Sequence, residues 1–177
     1  MVNFPFSLVI FLLFVTSCYS VKFVDVDTIC KNATNPSFCS TLLKSKPGGG
    51  SGDLASLAEY TLSVVHTNVT NTMNQIKELI KQSGSNVAAT THYKGCLFNF
   101  GDLGALGAIG AAQDALKKRD YKFAHDDAND ISFFMFLCIS GNLPSDPPFH
   151  DTSLLPKYVD IVDQIAKIIV RILNYLI

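Results

Sequence analysis

The residues best placed to do chemistry in this chain stand together at His125-Asp126-Asp127-Ala128-Asn129-Asp130, an Asp-Asp-x-x-Asp run inside a helix-like pattern. Carboxylates at i, i+1 and i+4 of a helix can hold Mg²⁺ against a diphosphate, as they do in all-α terpene synthases. That chemistry needs a second acidic motif and a helical shell large enough to enclose a prenyl chain. A chain of 177 residues with no second motif supplies neither. The plainer reading is that these acids sit near a helix start and complement its dipole. His66, His92, His125 and His150 are scattered without partner spacing, and no Gly-x-Ser-x-Gly elbow is present. The run Gly48-Gly49-Gly50-Ser51-Gly52 has no following Lys-Ser/Thr and no preceding strand pattern, so it is not a phosphate loop. Neither an enzyme nor a cofactor is expected. With 14 Lys and Arg against 15 Asp and Glu, the chain also has no basic surface for nucleic acid.

The cysteines carry more information. Phe4 to Val15 is an uncharged apolar run, too short for a membrane span, with Cys18 and Ser20 as small residues before a cut at Val21. Residues 1–20 therefore read as a signal peptide, and a mean hydropathy of +0.26 belongs in part to that segment. Its removal takes away Cys18 and leaves Cys30, Cys39, Cys96 and Cys138 in an oxidising compartment, where pairing is expected. Pairing neighbours is compatible with the spacing, but four cysteines allow three connectivities and spacing alone does not choose among them. A zinc site lacks both Cys-x2-Cys and a nearby His pair. Asn32-Ala33-Thr34 and Asn68-Val69-Thr70 are N-glycosylation sequons open to a secreted chain.

These residues need elements to position them. Cys30 and Cys39 flank Asn35-Pro36, a turn signal that predicts two short helical segments folded on each other. Lys46-Pro47 and the Gly-rich run to Gly52 form a connector, so residues 21–52 read as an N-terminal hairpin with linker and 53–177 as the main body. Asp53 is a plausible N-cap for a long amphipathic helix to about Lys81, with Leu54, Leu57, Leu62, Val65, Val69 and Ile76 on one face. A second helix is expected from about Thr91 to Lys118, a third from about Tyr121 to Ile139, and a last one from Leu155 onward. In that last helix Asp160, Asp163, Gln164, Lys167 and Arg171 make a wet stripe opposite the apolar one, which favours a bundle wall over a membrane anchor. No strand pattern occurs. The expected fold is all-α, an antiparallel up-and-down four-helix bundle carrying the N-terminal hairpin.

Two local features stand out. Gly101, Gly104, Gly107 and Gly110 recur every third residue of the expected second helix, at about 1 kcal/mol each relative to Ala, and the expected compensation is close packing inside the bundle. Phe133-Phe134-Met135-Phe136-Leu137 is apolar on all sides, so part of it must face outward or into a neighbour.

The segment Ile29-Cys30-Lys31-Asn32-Ala33-Thr34-Asn35-Pro36-Ser37-Phe38-Cys39, then Asp53-Leu54 with its long helix, the Cys96 region, Lys118-Arg119-Asp120-Tyr121 and Cys138, resembles the plant invertase/pectin methylesterase inhibitor family. The resemblance implies disulfides Cys30–Cys39 and Cys96–Cys138. It also implies a secreted, non-catalytic, monomeric inhibitor of the plant cell wall that binds a pectin methylesterase, or else an acid invertase, one-to-one across its substrate cleft. Asp126, Asn129, Asp130, Phe133 and Leu137 are the expected partner contacts. The esterase is the favoured target, because Pro147-Pro148-Phe149 lacks the lysine of invertase-directed members. The chain departs from the family pattern before its fourth cysteine, where Leu137 replaces a threonine that contacts the enzyme in esterase-directed members. A reading from another class is a carrier of small apolar ligands built on the Phe cluster and the glycine stripe.

Overall fold

The computed structural model describes residues 24–48, 53–141 and 149–177; the expected signal segment, residues 49–52 of the Gly-rich connector and the proline-rich loop 142–148 lie outside the described residues. The short helices come first. Asp25 caps α1 (Val26–Cys30) by accepting from the Thr28 N–H at 3.3 Å. Asn35 caps α2 (Pro36–Lys44) by accepting from the Phe38 N–H at 3.1 Å, with Pro36 at the first helical position, where its missing N–H costs nothing. The turn signal at Asn35-Pro36 is therefore a helix start, and the Cys30–Cys39 disulfide clips the two helices together at a Cα–Cα distance of 5.6 Å.

Asp53 caps α3 (Leu54–Ser83) at 2.8 Å from the Ser56 N–H. Thirty residues make this helix about 45 Å long, the longest wall of the bundle. Its two buried hydroxyls are satisfied locally: Thr61 Oγ1 donates to the Leu57 carbonyl and Thr72 Oγ1 to the Asn68 carbonyl, each at 2.8 Å. The second wall differs from expectation. It is not one helix over 91–118 but two in series, α4 (Val87–Phe100) and α5 (Ala105–Lys117), joined by a turn at 101–104. The glycines explain the break. A Cβ on Gly104 would overlap the Asn99 carbonyl, and one on Gly107 would overlap that of Asp102, so the turn folds back onto the first turn of α5. The close approach is thus to the adjoining end of α4 and to the turn rather than to a facing wall of the bundle, which narrows the packing expected for the stripe. Gly110 meets nothing within 4 Å.

Asp120 caps α6 (Tyr121–Ser140) at 3.2 Å from the Phe123 N–H, and α7 (Leu155–Asn174) closes the bundle. Packing runs in a ring: α3 against α4 and α5, these against α6, α6 against α7, and α7 back against α3. Successive walls run antiparallel, and no strand occurs among the described residues. Leu62, Val65, Phe100, Ile109, Ile131, Met135, Ile165 and Ile169 fill the core. The Cys96–Cys138 disulfide ties α4 to α6 across it, with Cα atoms 4.4 Å apart. The stretch Val87–Lys117 is long and apolar enough to cross a bilayer by composition, but the turn splits it and both halves serve as bundle walls. The hairpin leans on this body: Arg171 of α7 donates to the Asn32 carbonyl, and Ser45 Oγ lies 2.9 Å from the Tyr60 hydroxyl of α3.

Candidate functional site: the outer face of α6

Helix α6 is held by its inner side. Ala124, Ala128, Ile131, Met135 and Cys138 are buried, and the two alanines let α5 and α7 approach closely. At 100° per residue, the opposite side carries Asp126, Asn129, Asp130, Phe133 and Leu137 in one stripe. The first four are exposed, with Phe133 53% accessible; Leu137 is half-buried. The five expected contact residues therefore share one surface. Phe136, 64% accessible, and Ile139 extend the stripe toward α7. There, Phe133, Phe136 and Ile139 form one wall of an open groove of about 550 Å³, and Val159, Asp160, Asp163 and Lys167 of α7 form the other.

The polar end of the stripe is a local network. Asp126 accepts from Lys122 Nζ at 2.9 Å, and its other oxygen lies 3.3 Å from His125 Nδ1. The hydrogen bond from Lys122, then that from His125, hold the Asp126 carboxyl below the usual carboxylate range. Burial pushes Asp127 up, with the charges of Asp130 and Asp126 adding to it. These acids begin in the second turn of α6, so the dipole explanation expected for them belongs instead to the cap, Asp120. Among the described residues no three His, Cys, Asp or Glu side chains converge on a metal position. On α7, Lys167 pairs with Asp163 at 2.6 Å and Gln164 Nε2 donates to Asp160 at 2.6 Å, so the far wall of the groove is polar and ordered.

A second cluster escaped sequence reasoning. Tyr93 on α4 donates its hydroxyl to Asp151 Oδ1 at 3.0 Å, and the Ser153 N–H reaches the same oxygen at 2.8 Å. His92 stacks on Phe149 with centroids 4.5 Å apart, and its Nε2 lies 3.6 Å from Asp151 Oδ2, an oxygen with no hydrogen bond. Burial lowers the His92 pKa below its usual value although Asp151 pulls it up; burial likewise raises Tyr93. This cluster pins the segment before α7 onto α4. Its members are 58 residues apart in the chain, so no spacing could announce it. The groove residues on α7 did have a signal, since Asp160, Asp163 and Lys167 belong to the wet stripe of the last helix.

Together these features define a disulfide-clipped four-helix bundle with an exposed aromatic and acidic helix face. A family model for plant invertase/pectin methylesterase inhibitors matches residues 24–133, well over half of the sequence, and the chain belongs to that family. Its family is one of inhibitors rather than enzymes, in line with the absence of a catalytic set in the sequence. Curated relatives include pectinesterase inhibitor 2 of Arabidopsis thaliana, 28% identical over 60% of this chain and 60% of the relative. Pectinesterase inhibitor 1 of the same plant is 29% identical over 63% of this chain and 58% of the relative. The pectinesterase inhibitor of Actinidia deliciosa is 28% identical over 54% of this chain and 50% of the relative. The chain thus aligns with no more than about 60% of the length of these relatives. Among solved structures, a mutant form of a pectin methylesterase inhibitor from Arabidopsis superposes with a TM-score of 0.71 at 22% identity, over 86% of this chain and 97% of the other. A pectin methylesterase inhibitor from Arabidopsis thaliana gives 0.60 at 23%, over 86% and 95%. These two similarities establish the fold.

Proposed function

We propose that this protein is a secreted inhibitor of pectin methylesterase that acts in the plant cell wall, binds the enzyme one-to-one as a monomer and obstructs its substrate cleft with the outer face of α6. The observation that carries the reading is α6 itself. In a chain of this family, its inner side is consumed by packing, while Phe133 and Phe136 stay in solvent beside Asp126, Asn129 and Asp130. Exposed aromatics with a polar rim are what a specific protein interface uses as anchors. Half-buried Leu137 offers no hydroxyl, so the apolar contact of Phe133 takes the main part in binding. The names of the curated relatives support the esterase as target. The carrier reading is the weaker one, because Phe133 and Phe136 face solvent and the glycine stripe is divided between a turn, with Gly101 and Gly104, and the helix α5, with Gly107 and Gly110.

The test is titration of the mature chain, residues 21–177, against several purified plant pectin methylesterases at mildly acidic pH, with acid invertase as a parallel arm. Stoichiometric loss of esterase activity is expected. Esterases that stay fully active at micromolar inhibitor overturn the proposal, and inhibition confined to the invertase arm replaces the target.

A further inference from the structure

The two sequons differ sharply in their surroundings. Asn68 lies within α3, half-buried, and its Nδ2 donates to the Val64 carbonyl at 2.8 Å. Thr70 Oγ1 is likewise turned back, donating to the His66 carbonyl at 2.9 Å. At 100° per residue, side chains two apart on a helix point about 200° away from each other, so the Asn68 amide and Thr70 hydroxyl cannot meet. Asn32 stands in the turn between α1 and α2, outside any helix, and both Asn32 and Thr34 are exposed. The turn is nevertheless firm: the Cys30–Cys39 disulfide closes it, and Arg171 holds the Asn32 carbonyl, which leaves the carboxamide free to project.

We propose that Asn32 carries an N-linked glycan and that Asn68 does not. The reaction joins Asn32 Nδ2 to the anomeric carbon of a polyprenyl-diphosphate-linked oligosaccharide of the secretory compartment. The lipid diphosphate leaves with the bonding pair of the broken C–O bond, and one Nδ2 proton passes to a base of the transferase. A hydroxyl two residues on helps orient the amide, a geometry open to Thr34 and closed to Thr70. A sugar on Asn68 would also have to break the bond to Val64 and lift a half-buried side chain off the helix. The glycan on Asn32 sits beside the seam between hairpin and α7 formed by Ala33, Thr34, Lys167 and Arg171. Lys167 also lines the α6–α7 groove, so the sugar stands at one end of the proposed docking face.

This inference rests on the secretion reading, and the experiment separates the two. The full chain, with its own N-terminus and a C-terminal tag bearing an added exposed Asn-Gly-Thr acceptor, is expressed in a plant secretory system. Glycopeptide mass spectrometry then follows enzymatic deglycosylation in heavy-oxygen water. The expected result is an isotope-marked aspartate at position 32 and at the tag, none at position 68, and loss of one glycan's mass in Asn32→Gln but not in Asn68→Gln. A glycosylated tag with position 32 bare, or any occupancy at position 68, overturns the site assignment. A bare tag with a bare Asn32 overturns the secretion reading, and the proposal with it.

Discussion

Helices α6 and α7 are both 20 residues long, pack against each other and look similarly apolar in sequence, yet they use their hydrophobic residues differently. In α7, nine apolar residues from Leu155 to Leu173 are buried on one side, and the opposite side carries ordered pairs such as Lys167–Asp163. In α6 the core takes two alanines, Ile131, Met135 and Cys138, while Phe123, Phe133, Phe136 and Ile139 remain more than a third exposed. A helix facing α4, α5 and α7 at once needs small residues at the contacts, so its large side chains are left over. Apolar surface that folding leaves in water is available for a partner. The contrast therefore separates a helix that stabilises the bundle from one that also presents a face.

Breaking the inner side of α6 should produce the largest effect. Replacing Cys96 and Cys138 together by Ala removes a cross-link spanning 42 residues and should lower stability by about 4 kcal/mol in urea unfolding, close to the chain-entropy expectation. On α7, Ile169→Ala opens a cavity in a fully buried position and should cost about 3 kcal/mol, whereas Phe136→Ala on α6 should change stability by less than about 0.5 kcal/mol. Equal losses at the two sites would erase the distinction. On the outer face, Phe133→Glu should leave unfolding unchanged and weaken esterase inhibition at least about tenfold, equivalent to about 1.4 kcal/mol of binding. Unchanged inhibition constants in that variant would remove α6 from the interface.

The smallest expected effect is a pH dependence. The folded-state pKa of His92 lies below its unfolded value because burial disfavours the imidazolium. As pH falls, the unfolded chain takes up this proton first, so neutral His92 contributes stability that is present above the unfolded pKa of about 6.5 and declines as pH drops through the lower folded value. Urea midpoints measured from about pH 7 to pH 5 should fall more steeply for the native chain than for His92→Gln. Parallel curves would show that burial of His92 does not couple its protonation to folding.

Much of this architecture was legible along the chain. The cap Asp53, the three- and four-residue periodicity of α3 and α7, and the wet stripe of α7 are local patterns and appear where expected, while the Asn35-Pro36 turn signal turns out to be a cap and helix start. The second wall reads as one helix because an apolar helical period continues through Gly101–Gly104, and the need for glycine at 104, where a Cβ would collide with the Asn99 carbonyl, shows only in the folded chain. Of the candidate site, the residues from Asp126 to Leu137 came from the family resemblance, and only the observed helix α6 shows that they share one side. The family-model match ends at Phe133, where the aromatic run begins, and the exposure of Phe136 and Ile139 beside α7 is visible only in the packed bundle.

By itself, the sequence determined the helical walls apart from the break in the second one, the Asp53 cap, the four pairable cysteines of the described chain and the absence of a catalytic set, because these depend on residues a few positions apart or on composition. Tertiary structure alone decided which side of α6 is buried, that α7 supplies the second wall of the groove, and that His92, Tyr93, Phe149 and Asp151 converge. It also decided which of two equal sequons stands clear of a helix. Burial and encounter between distant segments are properties of the packed chain, and an all-round apolar helix carries no local signal for which of its sides will meet water.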